Sequence, residues 1–483
     1  MCTRRFAMPL LAVAGLVLIA GTVRGNDADR IQPYSANPRY WQYRGEPVML
    51  LGGSKDDNLF QIPDLKEHLD AIHAVGGNYI RNTMSDRKDQ GFEVYAFHQR
   101  PDGRYDMDQW NDEYWQRFRD MLSWTAERDI IVQIEVWDRF DFSRDHWEIS
   151  PWNPGRNVNF TYEETGFAPA YPAHPSQDRQ PFFHSIPGMP NYDERLDRIR
   201  AYQEAFVDKM LSYSLDYGHV LYCMNNETST PAAWGQYWIN FIKDRAAEKG
   251  VSVWATDMFD DAYQGPQATN APVVFDDPEH YMFADVSQVN SRNFDQLHWD
   301  RLQWLLEQVN RHPRPSNHTK IYGSGYYGFG SGGPEDGVER FWRNIIGGSA
   351  GARFHRRDAG NGLNDLAKAS IRAARLLERR IKFWDVTPHM EILSARAANE
   401  AYLAAKPGEA YALYFTNGGS VALDLSEAPG TFEITWISVA MGTEVETWQE
   451  GGHRAMDKTI EGGGMVTLSA PYKGGWVAAL VKR

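Results

Sequence analysis

Ile130-Ile131-Val132-Gln133-Ile134-Glu135-Val136-Trp137 and, ninety residues on, Val220-Leu221-Tyr222-Cys223-Met224-Asn225-Asn226-Glu227 decide the fold. Each is a short apolar run that turns polar at its end, and each precedes a long amphipathic period. That is how a buried parallel strand and its crossover helix read. In the first run Val132, Ile134 and Val136 form the uniformly apolar set and are expected to face helices. Gln133, Glu135 and Trp137 then point inward, because side chains alternate along a strand. In the second run Leu221, Cys223, Asn225 and Glu227 can point inward.

The same texture extends outward from about Pro47 to Trp384. Strands are expected over residues 48–52, 78–82, 130–137, 220–225, 251–256, 281–286, 320–323 and 350–355. Between them lie helical faces such as Leu65, Leu69 and Ile72, then Tyr114, Phe118, Met121 and Leu122, then Trp234, Trp238 and Ile242. Pro63 opens the first helix and Gly76-Gly77 closes it. Eight strands with crossovers predict a (β/α)8 TIM barrel over residues 26–388. An open doubly wound sheet lacks support, because no GxGxxG follows the first strand.

After Pro388 the runs become short and alternating, separated by Asn417-Gly418-Gly419, Pro429-Gly430, Glu450-Gly451-Gly452 and a glycine run at 462–464. Residues 389–483 therefore predict a small antiparallel β-sandwich. One long insertion, residues 139–192, follows the third strand and carries eight prolines and many aromatics, among them Phe140, Phe142, Trp147, Trp152, Phe160, Tyr162, Phe182 and Phe183. In a barrel it hangs over the C-terminal face, where active sites sit. Its aromatic rings suit sugar faces, or they glue the loop to the barrel.

The net charge of −14 over 483 residues argues against a nucleic-acid or anionic-membrane partner. Residues 1–25 read as an export signal: Arg4 and Arg5, an apolar run from Phe6 to Ala20 too short to span a bilayer, and small residues before the expected cleavage point. Export implies a secreted or periplasmic protein, with no membrane attachment once the signal is cleaved. Cys223 would then be the only cysteine, inside an apolar run, and is expected as packing. No Cys/His group has zinc-ligand spacing, and the glycine-rich stretch 323–333 lacks the Lys-Ser/Thr of a phosphate loop. Neither a metal nor a cofactor is expected. Oligomeric state leaves no mark on the sequence.

Polar residues of both signs converge on the expected barrel mouth. Arg81 ends the second strand, and Arg353 and His355 share a face of the eighth. Asp57 follows the first strand, where it either contacts sugar hydroxyls or caps the next helix. Trp137 and Asp138 end the third, and Tyr322 the seventh. Glu135 is a second carboxylate for catalysis or a salt-bridged interior group. His355 touches substrate or orients another group, and Asp138 binds sugar or only turns the chain. Paired carboxyls are what glycosidic cleavage needs.

Asn226-Glu227, at the end of the expected fourth strand, resembles clan-A glycoside hydrolases, whose acid/base glutamate follows an asparagine there. A fuller resemblance is to apiosidase-like hydrolases, through Asn37-Pro38-Arg39-Tyr40, Gly45-Glu46-Pro47, Leu50-Leu51-Gly52 and Gly76-Gly77-Asn78-Tyr79-Ile80-Arg81-Asn82. The tail, with Trp436, Gly442-Thr443 and Ala470-Pro471-Tyr472-Lys473-Gly474-Gly475-Trp476, is similar to the collagen-binding-like β-domain that often follows such barrels. The resemblance implies an exported glycosidase acting on plant or algal polysaccharides or oligosaccharides, with Glu227 as general acid/base and no cofactor. Asn226, Asp57, Arg81, Trp137, Asp138, Tyr322 and His355 are the expected sugar contacts.

One departure stands against it. Retaining clan-A enzymes carry a nucleophilic glutamate at the end of strand seven, where this chain has Lys320-Ile321-Tyr322-Gly323-Ser324. Another carboxylate serves, Glu135 first among the candidates, or the enzyme inverts through a water. The remaining alternative is a catalytically silent barrel that binds glycan.

Overall fold

A computed structural model describes residues 27–483 except 86, 178–179, 325–329, 446, 450–452 and 456–457. The expected export signal, the Glu450-Gly451-Gly452 turn and part of the 323–333 stretch lie outside the described residues. Eight parallel strands form one sheet: β1 (Leu50–Gly53), β2 (Tyr79–Thr83), β3 (Ile131–Asp138), β4 (Val220–Asn226), β5 (Ala255–Thr256), β6 (Ala284–Asp285), β7 (Ser316–Ile321) and β8 (Gly351–Phe354). Their order is β5-β4-β3-β2-β1-β8-β7-β6. The seam between β5 and β6 closes through Met282 N–H, which donates to the Ala255 carbonyl at 2.9 Å, and through the Thr256 hydroxyl, which donates to the Phe283 carbonyl. The molecule is a (β/α)8 barrel with antiparallel sheets at its C-terminal end.

Strands β5 and β6 are shorter than the runs at 251–256 and 281–286 suggested, because only two residues of each join a ladder. Strand β7 lies N-terminal to its expected place at 320–323. Its residues Ser316, Asn317, His318 and Thr319 are polar yet buried, so no apolar run announces them. The barrel interior has polar partners for them. Asn317 accepts from the Trp41 indole N–H at 2.9 Å, and Thr319 donates to Asp285 at 2.9 Å. Trp41 belongs to an N-terminal antiparallel strand, Asn37–Tyr43, which plugs the N-terminal end of the barrel. Above it Tyr79 donates to Gln133 at 2.6 Å, and Gln133 donates to Asp285 at 2.7 Å. The barrel is thus a filled polar core with a closed floor.

Long helices α1 (Leu65–Ala74), α2 (Asp112–Ala126), α3 (Asp197–Ser214), α4 (Ala232–Lys249), α5 (Asp295–Val309), α6 (Pro334–Ile346) and α7 (Asp365–Arg380) surround it. In α2 the Asn111 side chain caps the first turn by accepting from Glu113 N–H. Its buried face is Tyr114, Phe118, Met121, Leu122 and Thr125, as the sequence period required. No described helix is long and apolar enough to cross a membrane.

The C-terminal strands build a larger sheet, including Ala401–Lys406, Ala410–Phe415, Thr431–Ser438 and Trp476–Lys482, and a smaller one of Leu393–Ser394, Ser420–Asp424 and Met465–Ser469. One face of the larger sheet packs on the smaller around Leu403, Leu413, Phe415 and Leu480. Its other face packs on the barrel helices, with Tyr402 stacked on Trp299 and Tyr414 on Trp342 at 4.6 and 5.6 Å between ring centroids.

Candidate active site

A cleft of about 540 Å³ opens at the C-terminal end of the barrel, and every strand supplies part of its wall. Asp57 follows β1, Arg87 follows β2, and Arg139 and Phe140 follow β3. Asn226 and Glu227 end β4, Asp260 and Tyr263 follow β5, and Gln288 and Arg292 follow β6. Lys320 and Tyr322 close β7, and His355 and Arg356 follow β8.

Glu227 stands at the centre. Its backbone is left-handed, with φ of 58°, a conformation that costs a non-glycine residue about 1–2 kcal/mol. The next residues hold it there. Thr228 N–H donates to the Met258 carbonyl at 2.6 Å, and Asp260 N–H returns a bond to the Thr228 carbonyl at 3.0 Å. Fully buried Asp257 accepts from Asn225 N–H at 3.0 Å, from Met258 N–H at 2.9 Å and from the Thr228 hydroxyl. Burial still pushes Asp257 up to about 6 against those donors.

Three side chains fix the Glu227 carboxylate. Lys320 Nζ donates to Oε1 at 2.8 Å and Tyr322 OH to the same oxygen at 3.1 Å. Arg139 donates to Oε2 at 3.2 Å, and Lys320 also bonds the Asn226 side-chain carbonyl. Lys320 reaches the mouth because β7 is bulged. His318 pairs with Ala352 but Ile321 with Phe354, so β7 holds one residue more than β8 over this stretch. Both Thr319 and Lys320 therefore point inward, one to Asp285 and the next to Glu227.

The Arg139 nitrogen that holds Glu227 also holds Asp260, at 2.9 Å. With 3.2 and 2.9 Å to one nitrogen, the two carboxylate oxygens are at most about 6 Å apart. Their protonation tendencies diverge. Burial works to raise Glu227, but the Lys320 and Arg139 charges outweigh it and hold the carboxyl well below the usual range. Asp260 is raised, by burial first and then by the negative charge of Glu227, with Arg139 opposing. The Tyr322 phenol is held well above its usual value by burial and by Glu227, so it remains a donor. A pair of carboxyls pushed apart in this way divides naturally into a base and an acid.

Of the residues expected at the mouth, Asp57, Asn226, Glu227, Tyr322 and His355 line the cleft. Asp57 makes no cap for α1. It pairs with Arg81 and, at 3.5 Å each, with His355 and Arg356, which outweigh its burial and hold it well below the usual range. Arg81 and Glu135 sit below the cleft floor as a fully buried ion pair, and burial raises Glu135 to about 7 despite Arg81. Trp137 points into an aromatic cluster with Phe206 of α3 and with Trp234 and Trp238 of α4. Asp138 is buried, paired with Arg87 at 2.8 Å, and accepts from Phe140 N–H at 3.0 Å. These last four have partners other than the cleft. Most insertion aromatics are buried too, leaving Phe140 as the ring in the wall.

Sequence reasoning missed Arg139, Asp260, Lys320 and Arg356 as wall residues. Asp260 had a signal, four residues beyond the end of β5. Lys320 also had one, since it shares a strand face with Tyr322, whereas the bulge that turns Thr319 inward as well left no local mark.

A family described as Domain of unknown function (DUF6298) matches residues 96–262, a segment that holds Arg139, Glu227 and Asp260. No curated protein matches the sequence. Among solved structures, the chain is similar to a glycoside hydrolase family 5 protein from Bacteroides vulgatus, with 11% identity and a TM-score of 0.60. That alignment covers 94% of this chain and 92% of the other. Another, described as a glycoside hydrolase, aligns with 10% identity and a TM-score of 0.60, covering 94% and 97%. At such identities the similarity is one of fold.

Proposed function

We propose that the protein is a glycosidase in which Glu227 and Asp260 are the working carboxylates. The observation that carries this reading is the pair itself: two carboxyls at the barrel mouth, on one Arg139 nitrogen, with opposite protonation tendencies. Glu227, ionised beside Lys320, acts as nucleophile; Asp260 carries the proton to the leaving oxygen. This reverses the acid role expected for Glu227 and replaces Glu135, which no substrate in the cleft reaches, with Asp260. The two oxygens on the Arg139 nitrogen stand at most about 6 Å apart, a spacing that fits double displacement, for which carboxyls stand about 5–5.5 Å apart. The anomeric configuration is then retained.

The fold shared with glycoside hydrolases supports the reading, as do the apiosidase-like motifs. Export rests on residues 1–25, and the choice of plant or algal polysaccharide on the resemblance. The C-terminal β-domain serves as a buttress, since its large sheet spends one face on the barrel. The test is hydrolysis of a plant and algal polysaccharide panel, read as new reducing ends, by the native protein and by Glu227→Gln and Asp260→Asn. Each substitution should lower turnover at least about 100-fold.

A second reading follows from Lys320. A cation at the end of strand seven, where the resembled retaining enzymes carry a nucleophilic glutamate, held against Glu227, suits a barrel that binds glycan without cleaving it. Binding with no turnover anywhere on the panel supports that alternative.

A further inference from the structure

We infer that the cleft takes an anionic glycan, one bearing carboxylate or sulfate groups on the bound sugars. The inference deepens the glycosidase reading, but its binding part stands on the cleft charge alone. The whole chain is acidic, with a net charge of −14. Its cleft is the opposite: six lysine or arginine side chains line it against Asp57, Glu227 and Asp260. Those three carboxylates are already engaged, Asp57 by Arg81 and Arg356, and the other two by Arg139 and Lys320. Arg87 is engaged by Asp138 and Asp141.

Arg144 and Arg292 remain. Both are exposed in the wall, and neither has a carboxylate partner among the described residues. Each guanidinium lies over an aromatic ring, Arg144 over Phe140 at 5.7 Å and Arg292 over Tyr263 at 5.4 Å. Stacking of this kind steadies a guanidinium while its N–H groups stay free for an anion. Arg144 is also fixed at its backbone. Its φ of 54° is left-handed, and its N–H donates to the Tyr171 carbonyl at 2.7 Å. The two arginines come from the loops after β3 and β6, well separated around the ring, so they meet different parts of a bound chain. Neutral sugars leave this charge uncompensated. Carboxylates or sulfates pair with it bidentately.

The test uses calorimetric binding to the full-length native protein, with the oligomers checked for cleavage after each titration, because Glu227→Gln would free Lys320 and Arg139 to bind anions themselves. The probes are galacturonan oligomers with their carboxyl-reduced counterparts, and sulfated galactan oligomers with their desulfated counterparts. The expected result is that one anionic series binds at least about tenfold tighter than its neutralised counterpart, with affinity falling as salt rises from about 50 to about 500 mM. Adding Arg144→Ala and Arg292→Ala should remove that preference; both side chains are exposed, and an unchanged melting temperature confirms the fold. Whichever pair shows the preference identifies carboxylate or sulfate. Equal affinity within both pairs, or binding of neither, overturns the inference. Hydrolysis of neutral glycans without anion preference overturns it and leaves the glycosidase reading intact. Anion-selective binding without hydrolysis does the reverse.

Discussion

Lys320→Met isolates the charge that keeps Glu227 ionised. The ammonium stands 2.8 Å from Oε1, in a side chain 1% exposed, against a carboxylate 16% exposed. At an effective dielectric constant of about 20, two unit charges at that distance attract by about 6 kcal/mol. Water at the open side of Glu227 and the remaining Arg139 reduce what is lost, and half of that figure, about 3 kcal/mol, corresponds to about two pKa units. The Glu227 carboxyl should therefore rise by about two units. Methionine matches the lysine stem in length, so packing changes little, but removing one partner of a mostly buried pair leaves Glu227 and the Asn226 carbonyl less compensated, so the melting temperature should fall. The direct assay is carbon NMR of protein labelled at glutamate carboxyls, with the Glu227 signal assigned by its absence in Glu227→Gln. In a turnover assay the same shift appears on the acid side, because Glu227 must be ionised to act, so activity is lost at a higher pH than in the native protein. A folded Lys320→Met protein whose Glu227 titrates within about half a unit of native would refute the electrostatic account of this site.

Other consequences are independent of that one. Asp260 is raised and must be protonated to act, so turnover should be highest between the acid limb of Glu227 and an alkaline limb where Asp260 loses its proton; in Asp260→Asn that alkaline limb should vanish from the residual activity. Asp257→Ala strands the Asn225 and Met258 N–H groups and the Thr228 hydroxyl, and should destabilise by about 3 kcal/mol or more in denaturant unfolding, with the left-handed turn at Glu227 loosened. Trp342→Ala removes a fully buried ring stacked on Tyr414, and should cost about 3–5 kcal/mol, read as a lower denaturation midpoint with cleft binding intact.

The barrel was legible because its strands and helices carry their own periods. The runs around residues 131–138 and 220–226 are apolar enough to read as buried strands, and α2 shows a face that survives unchanged in the fold. Strand β7 was legible only at its end, because Ser316-Asn317-His318-Thr319 is satisfied by a polar barrel interior that no local pattern reveals. The site divided along the same line. Glu227 followed from its position after an asparagine at the end of a strand. Trp137 did not follow the simple alternation, since its ring turns to α3 and α4. Glu135 did point inward as parity required, but too deep to meet a ligand, and depth along a barrel axis depends on shear and register rather than parity. The charge of the wall was invisible for another reason. Its six cations come from five segments, at the ends of β2, β3, β6, β7 and β8, and only the closed ring brings them together.

The most direct test of the central claim is proton NMR of the first sugar product released from a hydrolysed glycan, observed before mutarotation. The account predicts the same anomer as in the cleaved linkage, with at least about 100-fold slower release by Glu227→Gln and by Asp260→Asn. Release of the opposite anomer, or undiminished turnover by either variant, would contradict it.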